Sequence, residues 1–137
     1  MVPSTNVRTR VVLVVEDDQP TGELLAGVIN DEEGYRAIHV RRPMDALLTM
    51  ARLKPDLLVL DMGLPDMTGL ELYDRLRRDE RLRTVPVIFE SAVSRENGAE
   101  FRKRGIRKVL QKPFDLSEFI ACMKELAPPM AAPPVAA

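Results

Sequence analysis

The chain has 137 residues, 45% of them hydrophobic, and its 20 Lys and Arg against 21 Asp and Glu leave a formal net charge of -1. That length suits one domain without a second core, and the charge balance gives no global attraction to nucleic acid or to an anionic membrane. The lone Cys122 excludes an intramolecular disulfide framework and suits a reducing cytoplasm. The polar first ten residues and the short apolar run Val11–Val15 offer neither a secretory signal nor a membrane span, so a soluble cytoplasmic protein is expected.

The first run, Val11–Val15, predicts a buried strand. Leu24, Leu25, Val28 and Ile29, spaced for one helix face, follow Pro20, and Gly34 marks where that helix should stop. Tyr35–Val40 predicts a second strand. Met44, Leu47, Leu48 and Ala51 predict the helix behind Pro43. Asp56–Leu60 is the third strand. Thr68 with Glu71 then forms a capping box ahead of the stripe Leu70, Tyr73 and Leu76. Val85–Phe89 is the fourth strand. The stretch from Ser94 to Gly105 carries the thinnest helical pattern, with only Ala99 and Phe101 to bury. Val109–Gln111 is the fifth strand, and Asp115 with Glu118 caps a helix bearing Leu116, Phe119, Ile120, Met123 and Ala127.

Continuous apolar strands alternating with amphipathic helices predict an α/β fold, a (βα)₅ doubly wound, five-stranded parallel sheet with helices on both faces. Residues 1–7 read as an N-terminal extension, 8–127 as the domain, and 128–137 as a Pro/Ala-rich tail or linker without periodicity.

Ligands of an open parallel sheet gather beyond the carboxyl ends of its strands. Glu16, Asp17 and Asp18 follow the first strand, Asp61 the third, Ser91 the fourth and Lys112-Pro113 the fifth. Carboxylates brought together there repel one another unless a cation neutralises them, and a hard, oxygen-seeking ion such as Mg²⁺ fits. A metal would let a phosphoryl donor approach Asp61, while Lys112 and Ser91 could hold two phosphoryl oxygens.

Four segments carry a family resemblance: Val-Val-Glu-Asp-Asp at 14–18, Pro-Asp-Leu-Leu-Val-Leu-Asp-Met-Gly-Leu-Pro-Asp-Met-Thr-Gly at 55–69, Pro-Val-Ile-Phe-Glu-Ser-Ala at 86–92 and Lys-Pro-Phe at 112–114. Over residues 8–127 the chain resembles the response-regulator receiver domain, chemotaxis-regulator-like, of two-component phosphorelay systems. The resemblance implies the flavodoxin-like strand order 2-1-3-4-5, for which the chemotaxis regulator of this family is a standard example. It implies Asp61 as phosphoacceptor and a Mg²⁺ site made of Glu16, Asp17, Asp61 and the Gly63 carbonyl, with Asp17 the direct ligand and Glu16 acting largely through water. Ser91 matches the switch hydroxyl, with the Ala92 N–H beside it, and Lys112 the phosphoryl-pairing lysine, before a cis Lys112–Pro113 bond. The implied partners are a sensor histidine kinase or histidine phosphotransfer protein upstream and a downstream protein. Membrane and nucleic acid are not expected partners, and no enzymatic turnover is expected beyond the domain's own phosphorylation and dephosphorylation.

One departure concerns the switch. Where the family has Tyr or Phe three residues before the lysine, this chain has Val109, which has no ring to move. Gly63 and Val93 stand where side chains would flank a water attacking the acyl phosphate, and neither can orient it, so slow hydrolysis is expected. The competing reading is a phosphorylation-independent, receiver-like protein-interaction domain, favoured by Val109 and opposed by the intact acidic pair, Asp61 and Lys112. A nucleotide-binding enzyme is excluded by the missing Gly-rich phosphate loop, and an aspartyl phosphatase by glycine at position 63. Singly, each site residue has a duller explanation, a loop aspartate or a solvated helix start. Cys122 and the methionines read as packing, and His39, the only histidine, has no partner triad and is not expected to be a phosphohistidine.

Overall fold

The computed structural model describes residues 8–92 and 98–130. Five strands alternate with five helices: β1 (Arg10–Val15), α1 (Gln19–Asp31), β2 (Tyr35–Val40), α2 (Pro43–Arg52), β3 (Leu57–Asp61), α3 (Gly69–Arg77), β4 (Val87–Ser91), α4 (Gly98–Lys103), β5 (Val109–Gln111) and α5 (Leu116–Leu126). The strands form one sheet in the order β2-β1-β3-β4-β5, every pairing parallel. The expected architecture and strand order are therefore both present.

Two apolar layers sandwich the sheet. Leu25 and Ile29 of α1 and Phe119 and Met123 of α5 pack on Val12, Val14, Leu57, Val59, Ile88 and Leu110. On the other face, residues of α2, α3 and α4 pack on Leu13, Val15, Leu58, Leu60 and Phe89. Strand alternation, with successive side chains on opposite faces, produces this division.

Local chemistry explains the element ends. Asp18 caps α1 by accepting from the Thr21 amide at 3.0 Å, and Thr68 caps α3 by accepting from the Glu71 amide at 3.1 Å. Asp115 caps α5 through the Ser117 amide at 2.9 Å, one residue earlier than a capping box would place it. Gly34 and Gly105 have φ of 88° and 71°, a region glycine enters without steric cost.

The structure corrects four details. The fourth strand is Val87–Ser91, not Val85–Phe89, because Pro86 lacks an N–H and the Val85 amide instead closes a turn onto the Leu82 carbonyl. The third strand runs one residue further than expected and so includes Asp61 itself. In α2 the buried face is Pro43, Ala46 and Met50, with Leu47 partly covered, while Met44, Leu48 and Ala51 are exposed. That helix carries two adjacent apolar stripes, and spacing does not say which one meets the sheet. Leu24 and Ala99, also expected inside, are exposed, and Phe101 alone buries from α4. Extension residues 1–7, Val93 within 93–97, and 131–137 of the tail lie outside the described residues. Of the tail's described part, the Pro128 carbonyl accepts from Arg10 Nε at 2.7 Å.

Candidate functional site at the carboxyl rim of the sheet

At the carboxyl end of the sheet, four adjacent strands each deliver one charged side chain to the same face. Glu16, Asp61, Glu90 and Lys112 stand two residues beyond Val14, Val59, Ile88 and Leu110, all of which point into the α1–α5 layer. Asp61 and Glu90 are direct partners in the β3–β4 ladder. The Lys112 amide donates to the Ser91 carbonyl at 2.8 Å, which holds the chain beyond β5 against β4.

Lys112 reaches back over this row. Its Nζ lies 3.2 Å from Glu16 Oε1, 3.2 Å from Asp61 Oδ2 and 3.8 Å from Glu90 Oε2. The other oxygen of Asp61, Oδ1, accepts from the Gly63 amide at 3.1 Å, so each carboxylate oxygen has its own positioning contact. Asp61 is 6% exposed, enough for one side to face the rim. Carboxylate oxygens of Glu16, Asp17 and Asp61 come within 4.8 Å of one another.

The acidic triple after β1 divides its labour. Glu16 turns into the sheet and is fully buried, and its Oε2 accepts from the Asp18 amide at 3.1 Å. Asp17 stays half-buried at the rim, its carbonyl taking a hydrogen bond from Arg41 Nε at 3.0 Å. Asp18 faces away and serves α1, accepting from both the amide and the hydroxyl of Thr21. Those bonds hold its carboxyl below the usual aspartate range.

Burial works in the opposite direction on the acids beneath. Glu16 is pushed up, first by burial and then by its hydrogen bond with Asp61. Glu90 is pushed up to about 8, first by burial and then by the charge of Glu16. For Lys112 burial acts downward, but Asp61, Glu16 and Glu90 together outweigh it, so its ammonium is held more firmly than usual.

Among the described residues, Lys112 therefore serves three clustered acids, Glu16, Asp61 and Glu90, with Asp17 beside them, and the donors facing outward are all hard oxygens. That set fits Mg²⁺, which is held through a few carboxylates and otherwise keeps water or phosphate oxygens. Asp17 and Asp61 at the rim, backed by Glu16, are the side chains that would hold it.

Of the residues expected from sequence, Glu16, Asp17, Asp61, Gly63 and Lys112 meet in this cluster. Ser91 is 2% exposed at the end of β4, and Ala92 is exposed next to it. The Lys112–Pro113 bond is cis. Val109 is half-buried opposite Phe89, and the space behind it is filled by rings, Phe89 lying 5.6 Å from Tyr73 and 5.2 Å from Phe101 between centroids.

Two residues of this region escaped sequence reasoning. Glu90 carried a signal, an acid inside a strand otherwise buried on both faces. His39 carried none. Its Nε2 lies 2.8 Å from the Glu16 carbonyl, and its ring sits so close over Gly22 of α1 that a Cβ there would come within 2.0 Å. The ring thus ties the β1–α1 turn to β2.

Residues 12–124 match the response regulator receiver domain family. The polar-differentiation response regulator DivK of Brucella ovis is 33% identical over 117 residues, spanning 85% of this chain and 94% of its own length. The receiver domain of the Francisella response regulator 1452 superposes with a TM-score of 0.78 at 28% identity, covering 87% of this chain and 97% of its own. The signal receiver domain of a signal transduction histidine kinase from Syntrophus aciditrophicus gives 0.79 at 28% identity, covering 87% and 90%.

Proposed function

The chain belongs to the response regulator receiver domain family, a signalling module of two-component systems, and on that premise we propose that Asp61 is its phosphoacceptor. The observation that carries the reading is the buried Asp61 carboxylate, held through one oxygen by the Gly63 amide and through the other by Lys112.

The phosphoryl group comes from a phosphohistidine of a sensor kinase or phosphotransfer protein. The P–N bond breaks with its electron pair left on the imidazole nitrogen, and a P–O bond forms to an Asp61 carboxylate oxygen. Mg²⁺ held by Asp17 and Asp61, with Glu16 behind them and the Gly63 carbonyl as a further donor, would supply the positive charge that draws phosphoryl oxygens to so acidic a rim. The Lys112 ammonium stabilises charge on the transferring group, and the Ser91 hydroxyl and Ala92 N–H hold the oxygens on the other side. Hydrolysis returns the Asp61 carboxylate and inorganic phosphate. The domain turns over nothing else, and its output is a change of surface read by a downstream protein. That output belongs to the cytoplasm, where histidine kinases present their phosphohistidines. The phosphorylation-independent reading leaves the geometry of Asp61 and Lys112 without a purpose.

The experiment is to incubate the chain with Mg²⁺ and a small phosphodonor and weigh it. One added phosphoryl group is expected, lost in Asp61→Asn and in Asp17→Asn, and kept in Asp18→Asn, whose side-chain oxygen can still cap α1. A full mass gain in Asp61→Asn would refute the assignment. Equal loss in the Asp17 and Asp18 variants would mean that the acidic triple has been read in the wrong register.

A further inference from the structure

Glu90 is the one member of the row that the phosphoacceptor reading leaves unused. It is 0% exposed, it stands directly beside Asp61 in the ladder, and neither of its carboxylate oxygens has a hydrogen-bond partner. Burying a carboxyl without hydrogen bonds is costly, and an apolar or amide side chain would fill the same space at less expense. Such a position calls for a reason beyond packing.

The reason lies in what Glu90 faces. Among the described residues its cationic neighbour is Lys112, which is 3.8 Å from Glu90 Oε2 and 3.2 Å from each of Glu16 Oε1 and Asp61 Oδ2. An ammonium has three N–H donors and no acceptor, and here three carboxylates compete for them. Asp61 borders the rim where a phosphoryl group would arrive, with Glu16 buried behind it. Glu90 lies on β4, between the strand of Asp61 and the strand that Lys112 follows.

We propose that Glu90 is a positioning residue that restrains Lys112, drawing the ammonium inward and limiting how fully it can be given to phosphoryl oxygens on Asp61. The inference rests on the phosphoacceptor reading of Asp61. A phosphoryl group brings its own negative oxygens, and Lys112 is the group that turns outward to meet them. That turn leaves Glu90 without a cation in a place that water does not reach. While Glu90 is ionised, the phosphorylated state is therefore destabilised relative to the unphosphorylated one, and the switch is biased toward off. Glu90 is not among the three acids whose oxygens lie within 4.8 Å of one another, so the metal end should feel it less than the phosphoryl end.

The test uses Glu90→Gln, which keeps the shape and removes the charge, and Glu90→Leu, which makes the position apolar. Binding of Mg²⁺ alone, and of beryllofluoride at saturating Mg²⁺, is measured on the full chain at about pH 9, where a Glu90 carboxyl pushed up to about 8 is ionised. Both variants should bind beryllofluoride roughly tenfold more tightly than the parent, the effect of removing one partly screened charge near the site. Mg²⁺ affinity should stay within about threefold, because Glu90 is not one of the acids that would hold the metal. In metal-free protein the side-chain NH₃⁺ resonance of Lys112 should shift in both variants, which a purely space-filling Glu90 would not cause. Unchanged or weaker beryllofluoride binding in Glu90→Gln would overturn the proposal, and the Gln variant carries the test if the Leu variant folds poorly. A loss of Mg²⁺ affinity larger than the gain for beryllofluoride would also overturn it, by making Glu90 part of the metal site. A parent that takes phosphoryl on Asp61 while Glu90→Gln behaves identically sinks this inference alone. A parent that binds no beryllofluoride sinks both.

Discussion

Two regions of this molecule are built from the same ingredients, one long cationic side chain among acids, and they behave as opposites. On the surface between α3 and α4, Arg104 donates to both oxygens of Asp74, at 2.7 and 2.8 Å, and to Glu100 Oε1 at 2.9 Å. Every partner is met, and Asp74 and Glu100 are both held below the usual carboxylate range, first by their hydrogen bonds to Arg104. At the rim, Lys112 has more acids than it can serve, one of them lacks any hydrogen bond, and Glu16 and Glu90 are pushed upward by burial. A planar guanidinium fork closes a surface tie, whereas a point-like ammonium can be released to another anion. An unbalanced, buried charge set marks a place prepared for ligands, and a balanced exposed one marks a strut.

The contrast predicts its largest effect at Lys112. Lys112→Met removes the one cation that, among the described residues, pairs with Glu16, Asp61 and Glu90, leaving like charges facing one another. In metal-free buffer the variant should lose about 2 kcal/mol of stability, since unpairing a buried charge is expensive, and it should also fail to bind beryllofluoride. Adding Mg²⁺ should recover a larger share of stability for this variant than for the parent, because the ion replaces part of the missing charge. Urea unfolding with and without Mg²⁺ measures this. Equal Mg²⁺ dependence in the two proteins would show that the rim is not starved of cations.

A smaller effect concerns what passes between the two regions. Val109 lies on the sheet face that α3 and α4 cover, and its β-branched side chain is stiff at χ1 and has little area to exchange. Tyr73, Phe89 and Phe101 already fill the interior beneath α3 and α4. Beryllofluoride should therefore shift backbone NMR signals in residues 62–68 and 91–100 and leave Val109, α5 and the Arg104–Asp74 tie nearly unmoved. Shifts through Val109 and the face of α5 as large as those beside Asp61 would refute a local switch.

Much of this was legible in the sequence, and the residues that were not share a physical cause. Strands buried on both faces announce themselves as apolar runs, so the five strands and the acids at their ends could be placed before any coordinates, while the strand order came only from the family resemblance. Strand limits were less readable: Pro86, by withholding an N–H, moved β4 two residues and placed Ser91 inside the ladder rather than after it. In α2, Met44 and Leu48 were as apolar as Ala46 and Met50, and only packing against the sheet chose between the stripes. Glu90 and His39 act through what they meet across the sheet, the Lys112 ammonium and the Glu16 carbonyl, and no spacing along the chain records a cross-strand meeting.

The smallest effect belongs to the satisfied region, where it supplies the control for the rest. Asp74 and Glu100 are 37% and 45% exposed as side chains, so solvent screens them and most of the attraction seen in the geometry is lost to hydration and side-chain entropy. Arg104→Ala should cost about 1 kcal/mol or less at neutral pH, and less still in high salt. The pH dependence has a definite sign. Asp74 has a folded value below its ordinary 3.8, so its contribution is present above that value and is lost as pH falls through the lower, folded one. Parent and Arg104→Ala should then differ at neutral pH and converge in acid, while phosphorylation of Asp61 is the same in both. Urea midpoints across that range, with phosphorylation followed by mass, check each half. A stability difference that persists after Asp74 is protonated would mean that Arg104 acts by packing its aliphatic stem and its bond to the Glu100 carbonyl, at 3.0 Å, rather than by charge. A change in phosphorylation would mean that the two regions are coupled after all, and that Val109 does not isolate them.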